Sequence, residues 1–202
     1  MFDIVIVLTV ALLGFRLLGA LGAGRFATWT AGAAHAMAVM LVVTASAHFV
    51  PASVTVMPNH ADLARMVPSF VPYPDVMVYV SGVLELLGAA GLVLSATRRA
   101  AGICLAALFA LLLPANVYAA VTDVRFNGDE ATPLWFRIPE QLLYIAVALW
   151  VARSAGATTA RHAPGSPRPR LGGSATATSA HRHRGRRAAG KVAPGTATTP
   201  PR

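Results

Sequence analysis

Residues 76–121 hold two long apolar runs separated by four residues, and that pairing limits the fold more than anything else in the chain. The first run, 76–95, carries a single charge, Glu85, and the second, 100–121, carries none. At about 1.5 Å of rise per residue, each is long enough as a helix to cross the ~30 Å hydrocarbon layer of a bilayer. Neither shows the polar face that a helix of a water-soluble domain turns to solvent. The linker Ala96-Thr97-Arg98-Arg99 allows only antiparallel neighbours. A chain built on this hairpin is a membrane protein.

Three further spans are predicted on the same grounds, at 2–24, 29–50 and 133–152, giving five. The first begins Met-Phe-Asp, without the basic start of a secretory signal, and is read as a retained helix. Between the second and third spans lies a proline-punctuated stretch in which 59–67 has the makings of a short surface helix. Most of the acids fall with the N-terminus and with the loops at 51–75 and 122–132. Arg25, Arg98, Arg99 and Arg153 fall at the opposite ends, with no acid. The positive-inside rule then places the N-terminus outside and the C-terminus in the cytoplasm, across the cytoplasmic membrane. Trp29, Trp135 and Trp150 all lie at predicted helix ends, where tryptophan favours the interface.

Charge is divided sharply along the chain. The net charge is +9, yet residues 1–153 hold eight Arg and all eight acids, so the whole excess belongs to 154–202. That segment is Ala, Thr, Gly, Pro, Arg and His with almost nothing to bury, and is expected to be a disordered cytoplasmic tail. Its densest stretch, 181–187, suits an anionic lipid surface, and nucleic acid is the weaker partner for it. One cysteine, Cys104, excludes an intrachain disulfide and dithiol exchange.

Charges inside a bilayer are costly, so Glu85 and Arg16 are the first candidate site residues. Glu85 lies about nine residues into its helix and Arg16 eight residues from the end of the first span, a separation that a guanidinium side chain bridges. An intramembrane ion pair between Glu85 and Arg16 is therefore expected, serving either helix register or a ligand or proton, the alternative being that Arg16 snorkels to the inner surface. Ser81, Gly82, Gly88, Ala89 and Gly91 surround Glu85 at helical spacing and let a neighbouring backbone approach. Asn116 follows Pro114, which breaks the hydrogen-bond ladder of its helix. With His48, Arg137, Glu140 and Gln141 it would line a polar cup at the outer side, or these groups would satisfy one another. His35 and His48 sit about 20 Å apart on one helix, so paired axial ligation of a haem is excluded and His35 is read as a hydrogen-bonded packing residue. His60 with Asp62 is too sparse for a metal site. The sequence has no phosphate loop, serine elbow or nucleotide fingerprint.

The runs Met66-Val67-Pro68-Ser69-Phe70-Val71-Pro72-Tyr73-Pro74 and Tyr79 through Leu92 resemble those of the DoxX-like integral membrane proteins. The likeness extends through Thr97-Arg98-Arg99, Pro114-Ala115-Asn116-Val117-Tyr118 and Leu134 through Gln141, with His48-Phe49 before the loop, and covers residues 30–152. It implies an all-α, four-helix membrane bundle, to which this chain adds one N-terminal span and the basic tail. The family takes its name from a subunit of a thiosulfate:quinone oxidoreductase. The resemblance thus implies an accessory, non-catalytic subunit beside an oxidoreductase partner, with the bundle holding that partner or a quinone-like lipid near Glu85, Asn116 and Arg137. A small-molecule or proton-linked carrier using Glu85 and Arg16 is the rival reading, and a scaffold without ligand is the third. A quinone site predicts an apolar pocket open sideways to lipid, whereas a carrier predicts polar residues continuing to both sides.

Overall fold

The computed structural model describes residues 3–125 and 132–161, with side chains described for 4–125 and 132–156. The tail beyond 161 and part of the loop before the last helix lie outside the described residues, and with them the expected lipid-facing cluster at 181–187.

The described chain is all helical. Six α-helices follow one another: α1 Asp3–Ala20, α2 Trp29–Ser46, α3 His60–Met66, α4 Pro74–Val93, α5 Arg98–Val121 and α6 Leu134–Arg161, with a 3-10 turn at Gly24–Phe26. Four of them are long and apolar enough to cross a membrane, over Trp29–Ser46, Pro74–Val93, Arg98–Val121 and Leu134–Gly156. In α1 the apolar stretch is shorter, Ile4–Ala20. At about 1.5 Å per residue it reaches ~26 Å against a ~30 Å hydrocarbon layer.

Local chemistry sets the helix ends. Thr28 caps α2, its hydroxyl accepting from the Ala31 amide at 3.2 Å. Asn59 and Asp62 form a reciprocal capping box on the short surface helix α3. Tyr73 takes a left-handed conformation, φ 56°, and feeds the chain into Pro74, which sits in the first turn of α4 where its missing N–H costs nothing. α2 stops at Ser46, short of the expected 50, because the amides of Ala47, His48 and Phe49 bond three residues back in tight turns. α6 instead runs past the expected end at 152. No proline follows until Pro164, and Ser154 bonds back to the Trp150 carbonyl at 3.0 Å, so residues 154–161, expected in the tail, continue the helix.

α2 is the hub. It packs against α1, α4 and α6, and α5 closes the bundle against α4 and α6. Of the α2 span 56% is buried, against 33%, 28% and 28% of the other three. Lipid supplies no hydrophobic drive for helix association, so close packing must hold these helices together. Ala33, Ala34 and Ala36 line the α2 core beside Met37, Met40 and Leu41. A methyl group on Gly88 would strike Leu105 at 2.4–3.0 Å, and one on Gly102 would meet the Ala148 carbonyl at 2.7 Å. Both glycines are where α5 comes against a neighbour.

Candidate functional site

Two clusters of buried polar residues stand between the spans, one between α2 and α4 and one between α5 and α6. The first is assembled by the tight turns after α2, which bring His48 over Gly82. A Cβ at position 82 would lie 2.6 Å from His48 Cβ, so only glycine admits this approach. His48 Nδ1 lies 2.7 Å from the Val78 carbonyl, and since a carbonyl only accepts, Nδ1 carries the proton and donates. Ser81 Oγ donates to the same carbonyl at 2.9 Å and lies 3.2 Å from Nδ1. The other ring nitrogen, Nε2, faces Glu85 Oε1 at 3.7 Å. Thr44 donates to Glu85 Oε2 at 3.0 Å. Glu85 is 5% exposed, so one carboxyl and one imidazole face each other out of water.

The second cluster joins α5 to α6. Gln141 Nε2 donates to the Phe109 carbonyl at 2.8 Å, one residue before the Ala110 carbonyl that Pro114 deprives of its helical donor. Asn116 Nδ2 reaches Gln141 Oε1 at 3.5 Å. Glu140 accepts from the Tyr144 hydroxyl at 2.7 Å and faces Arg137 Nη1 at 3.5 Å. No hydrogen bond or ion pair among the described residues connects this cluster with Glu85 and His48, so the expected single cup is two separate networks.

The expected pair of Glu85 with Arg16 is not formed. Arg16 Nη1 donates to the Phe26 carbonyl at 2.8 Å, and its guanidinium lies over the Trp29 ring, 4.8 Å from the centroid. Its side chain runs against Gly32, while Glu85 is opposite Thr44. Twelve residues of α2 separate these two levels, ~18 Å at 1.5 Å per residue. Helix register, which charge placement alone does not reveal, puts the two beyond reach.

Other contacts had no sequence signal or a faint one. Tyr144 stands four residues after Glu140, a spacing that places both on one helix face and was legible. His60 was not. It bonds through Nδ1 to the His48 carbonyl at 2.8 Å, lies 3.1 Å from Asp75 through Nε2 and stacks on Tyr79 at 4.2 Å, so it ties α3 to the start of α4. His35 donates from Nδ1 to Ala31 at 2.8 Å, accepts from Arg25 Nε at 3.1 Å, and sits among the rings of Phe15 and Phe26. Among the described residues no three His, Cys, Asp or Glu come together as metal ligands would.

Two apolar grooves open on the outside of the bundle. One, about 480 Å³, lies between α1, α2 and α4, with His35 as the one polar residue lining it. The other, about 530 Å³, runs along α5 under Pro68 and Phe70, with the Tyr118 side chain on its wall. Neither is lined by Glu85, His48, Asn116 or Arg137.

Residues 37–152, more than half of the chain, match the model of a family described as a domain of unknown function (DUF8561). The match runs from the middle of α2 into α6 and leaves α1 outside. No curated protein and no solved structure matches the chain.

Proposed function

This chain belongs to the DUF8561 family, and we propose that it is an accessory, non-catalytic membrane subunit of a quinone-linked redox system, as its DoxX-like sequence implies. The observation that carries this reading is that the buried polar groups of these two clusters are spent on one another or on backbone carbonyls. Glu85 is engaged by Thr44 and His48, Gln141 by Phe109 and Asn116, and Glu140 by Tyr144 and Arg137. A carrier needs such groups facing a cavity and continuing across the bilayer. Here the layer beyond Glu85 is Met37, Leu41, Ala89 and Leu92, all apolar and buried. The two grooves described above are apolar and open on the bundle surface, which is how a lipid-like molecule is held.

In this proposal the quinone-like lipid lies in the α5 groove, with the Tyr118 hydroxyl as donor to a ring carbonyl, and Glu85, His48, Asn116, Arg137 and Gln141 hold the helices in register. α1, packed along α2, is the fifth span. Asp62, Asp75 and Asp123 then lie on the outer side of a bacterial cytoplasmic membrane, and Arg25, Arg98, Arg99 and Arg153 on the cytoplasmic side.

One observation favours the carrier instead, the 3.7 Å approach of His48 Nε2 to Glu85. Extraction in mild detergent followed by mass spectrometry of co-purifying proteins and lipids separates the readings. An oxidoreductase subunit, or stoichiometric quinone that Tyr118→Phe depletes, supports the accessory role. Recovery of the bundle alone, with proton flux in proteoliposomes that Glu85→Gln abolishes, overturns it in favour of the carrier.

A further inference from the structure

At the end of the bundle where α4 stops, two cations meet without a counter-ion. Arg25 donates from Nη2 to the Val93 carbonyl at 3.4 Å, and Arg98 donates from Nη2 to the same carbonyl at 3.2 Å. Arg98 Nε also holds the Leu92 carbonyl at 2.8 Å, as Arg25 Nε holds His35. Helix C-terminal carbonyls attract cations, but the end of a helix offers only about half an elementary charge against two guanidiniums. Among the described residues neither arginine has a carboxylate within ion-pair distance. Residues 154–202 contain no Asp or Glu side chain. Each guanidinium has five N–H groups and spends two of them here. The geometry leaves a doubly cationic spot with donors to spare.

That spot closes one end of the groove between α1, α2 and α4. Both acceptors of Arg25, His35 and Val93, are groove-lining residues. From there the groove extends along α2 to Val43 and along α4 back to Leu86. Eight residues of α2 correspond to ~12 Å, close to the ~15 Å that one leaflet contributes to the hydrocarbon layer. An apolar channel one leaflet deep, with two arginines at its head, has the shape and charge of an anionic lipid.

We propose that this groove takes an acyl chain of an anionic phospholipid whose phosphate is held by Arg25 and Arg98. A neutral quinone ring is a poorer fit. It leaves the positive charge unanswered, and His35 has no donor for it, since Nδ1–H is spent on Ala31 and Nε2 accepts from Arg25. Basic pockets between membrane helices hold lipid phosphates in this way. The inference is independent of any redox role and concerns a groove apart from the one assigned to a quinone.

The test is thermal unfolding of the full chain in mild detergent with added dioleoyl phosphatidylglycerol, compared with dioleoyl phosphatidylcholine and with inorganic phosphate. Phosphatidylglycerol should stabilise the protein, and the other two should not. Arg25→Gln and Arg98→Gln should each raise the concentration needed about fivefold, the worth of one basic residue at a lipid headgroup. Val39→Trp, which fills the groove from its exposed side and leaves both arginines, should abolish the effect. Equal stabilisation by phosphatidylcholine would overturn the headgroup assignment. A full effect of inorganic phosphate, or of phosphatidylglycerol on Val39→Trp, would overturn the acyl-chain assignment.

Discussion

Gly82→Ala tests the central contact of the α2–α4 cluster most directly. The added methyl carbon would lie 2.6 Å from His48 Cβ and 2.8 Å from Cγ. Carbon atoms settle at about 3.5–4.0 Å, so His48 must retreat by about 1 Å. Its Nδ1 bond to Val78, now 2.7 Å, would then stretch past the hydrogen-bond limit. Overpacking of this kind costs about 1–3 kcal/mol, and a side-chain hydrogen bond between membrane helices adds about 0.6 kcal/mol. Replacing a helical glycine by alanine returns up to about 1 kcal/mol. The net expectation is a loss of about 0.6–2.6 kcal/mol, measured as the unfolding midpoint in a denaturing-detergent titration of purified protein. Gly14→Ala is the control, because nothing lies within 4 Å of a Cβ there. It should keep the helix-propensity gain and nothing else. The packing argument is refuted if Gly82→Ala unfolds where Gly14→Ala does.

Register and network membership make further predictions. Arg16→Gln and Glu85→Gln should add in their effects on stability to within about 0.5 kcal/mol, as for separated sites, whereas Thr44→Val and Glu85→Gln should couple. A coupling energy above 1 kcal/mol for Arg16 with Glu85 would restore the ion pair. Gln141→Leu, which removes the side-chain donor that α6 extends to the Phe109 carbonyl, should cost about 1 kcal/mol, and Asn116→Ala less, since its bond to Gln141 is stretched to 3.5 Å. Equal losses in the same titration would count against this geometry. His60→Ala removes the bond to the His48 carbonyl, the Asp75 contact and the Tyr79 stack, so trypsin should cut after Arg65 several-fold faster. An unchanged cleavage rate would mean that these contacts do not hold α3 in place.

The long helices were legible in the sequence because twenty apolar residues in a row admit few alternatives, and the small residues around Glu85 announced a close approach. Gly82 and Gly88 carry it out, one admitting His48 and the other Leu105. Their partners were not legible. Which residue of α2 stands opposite Glu85 depends on a register shift of a few residues, and apolar periodicity hardly changes with such a shift. The expected salt bridge failed on this point. Arg16 found a nearer acceptor in the carbonyl of Phe26, which follows once the chain has reversed after α1. The end of α6 was not legible for another reason, since the change of composition after Arg153 is not a change of backbone structure. Ala-rich sequence without proline carries a helix on after its apolar stretch is over.

The two ends of the bundle are fastened by different chemistry, and the placement of charge explains why. At the His48 end the chain has acids and histidines, so neutral and anionic groups bridge the elements: Thr44 to Glu85, His48 to Val78, His60 to Asp75. At the Arg25 end there is no acid to pair with, and the arginines turn to backbone carbonyls instead: Arg16 to Phe26, Arg25 to Val93, Arg98 to Leu92. Between them lies a layer of Met37, Leu41, Leu92 and Leu105 that packs tightly but fixes no register by itself. Register is therefore set from both ends. The carbonyl-held cations keep their full charge, while the carboxylates at the other end are answered by neighbours. Among the described residues Arg25 and Arg98 have no carboxylate partner, whereas Arg65 and Arg137 toward the other end face Asp62 and Glu140.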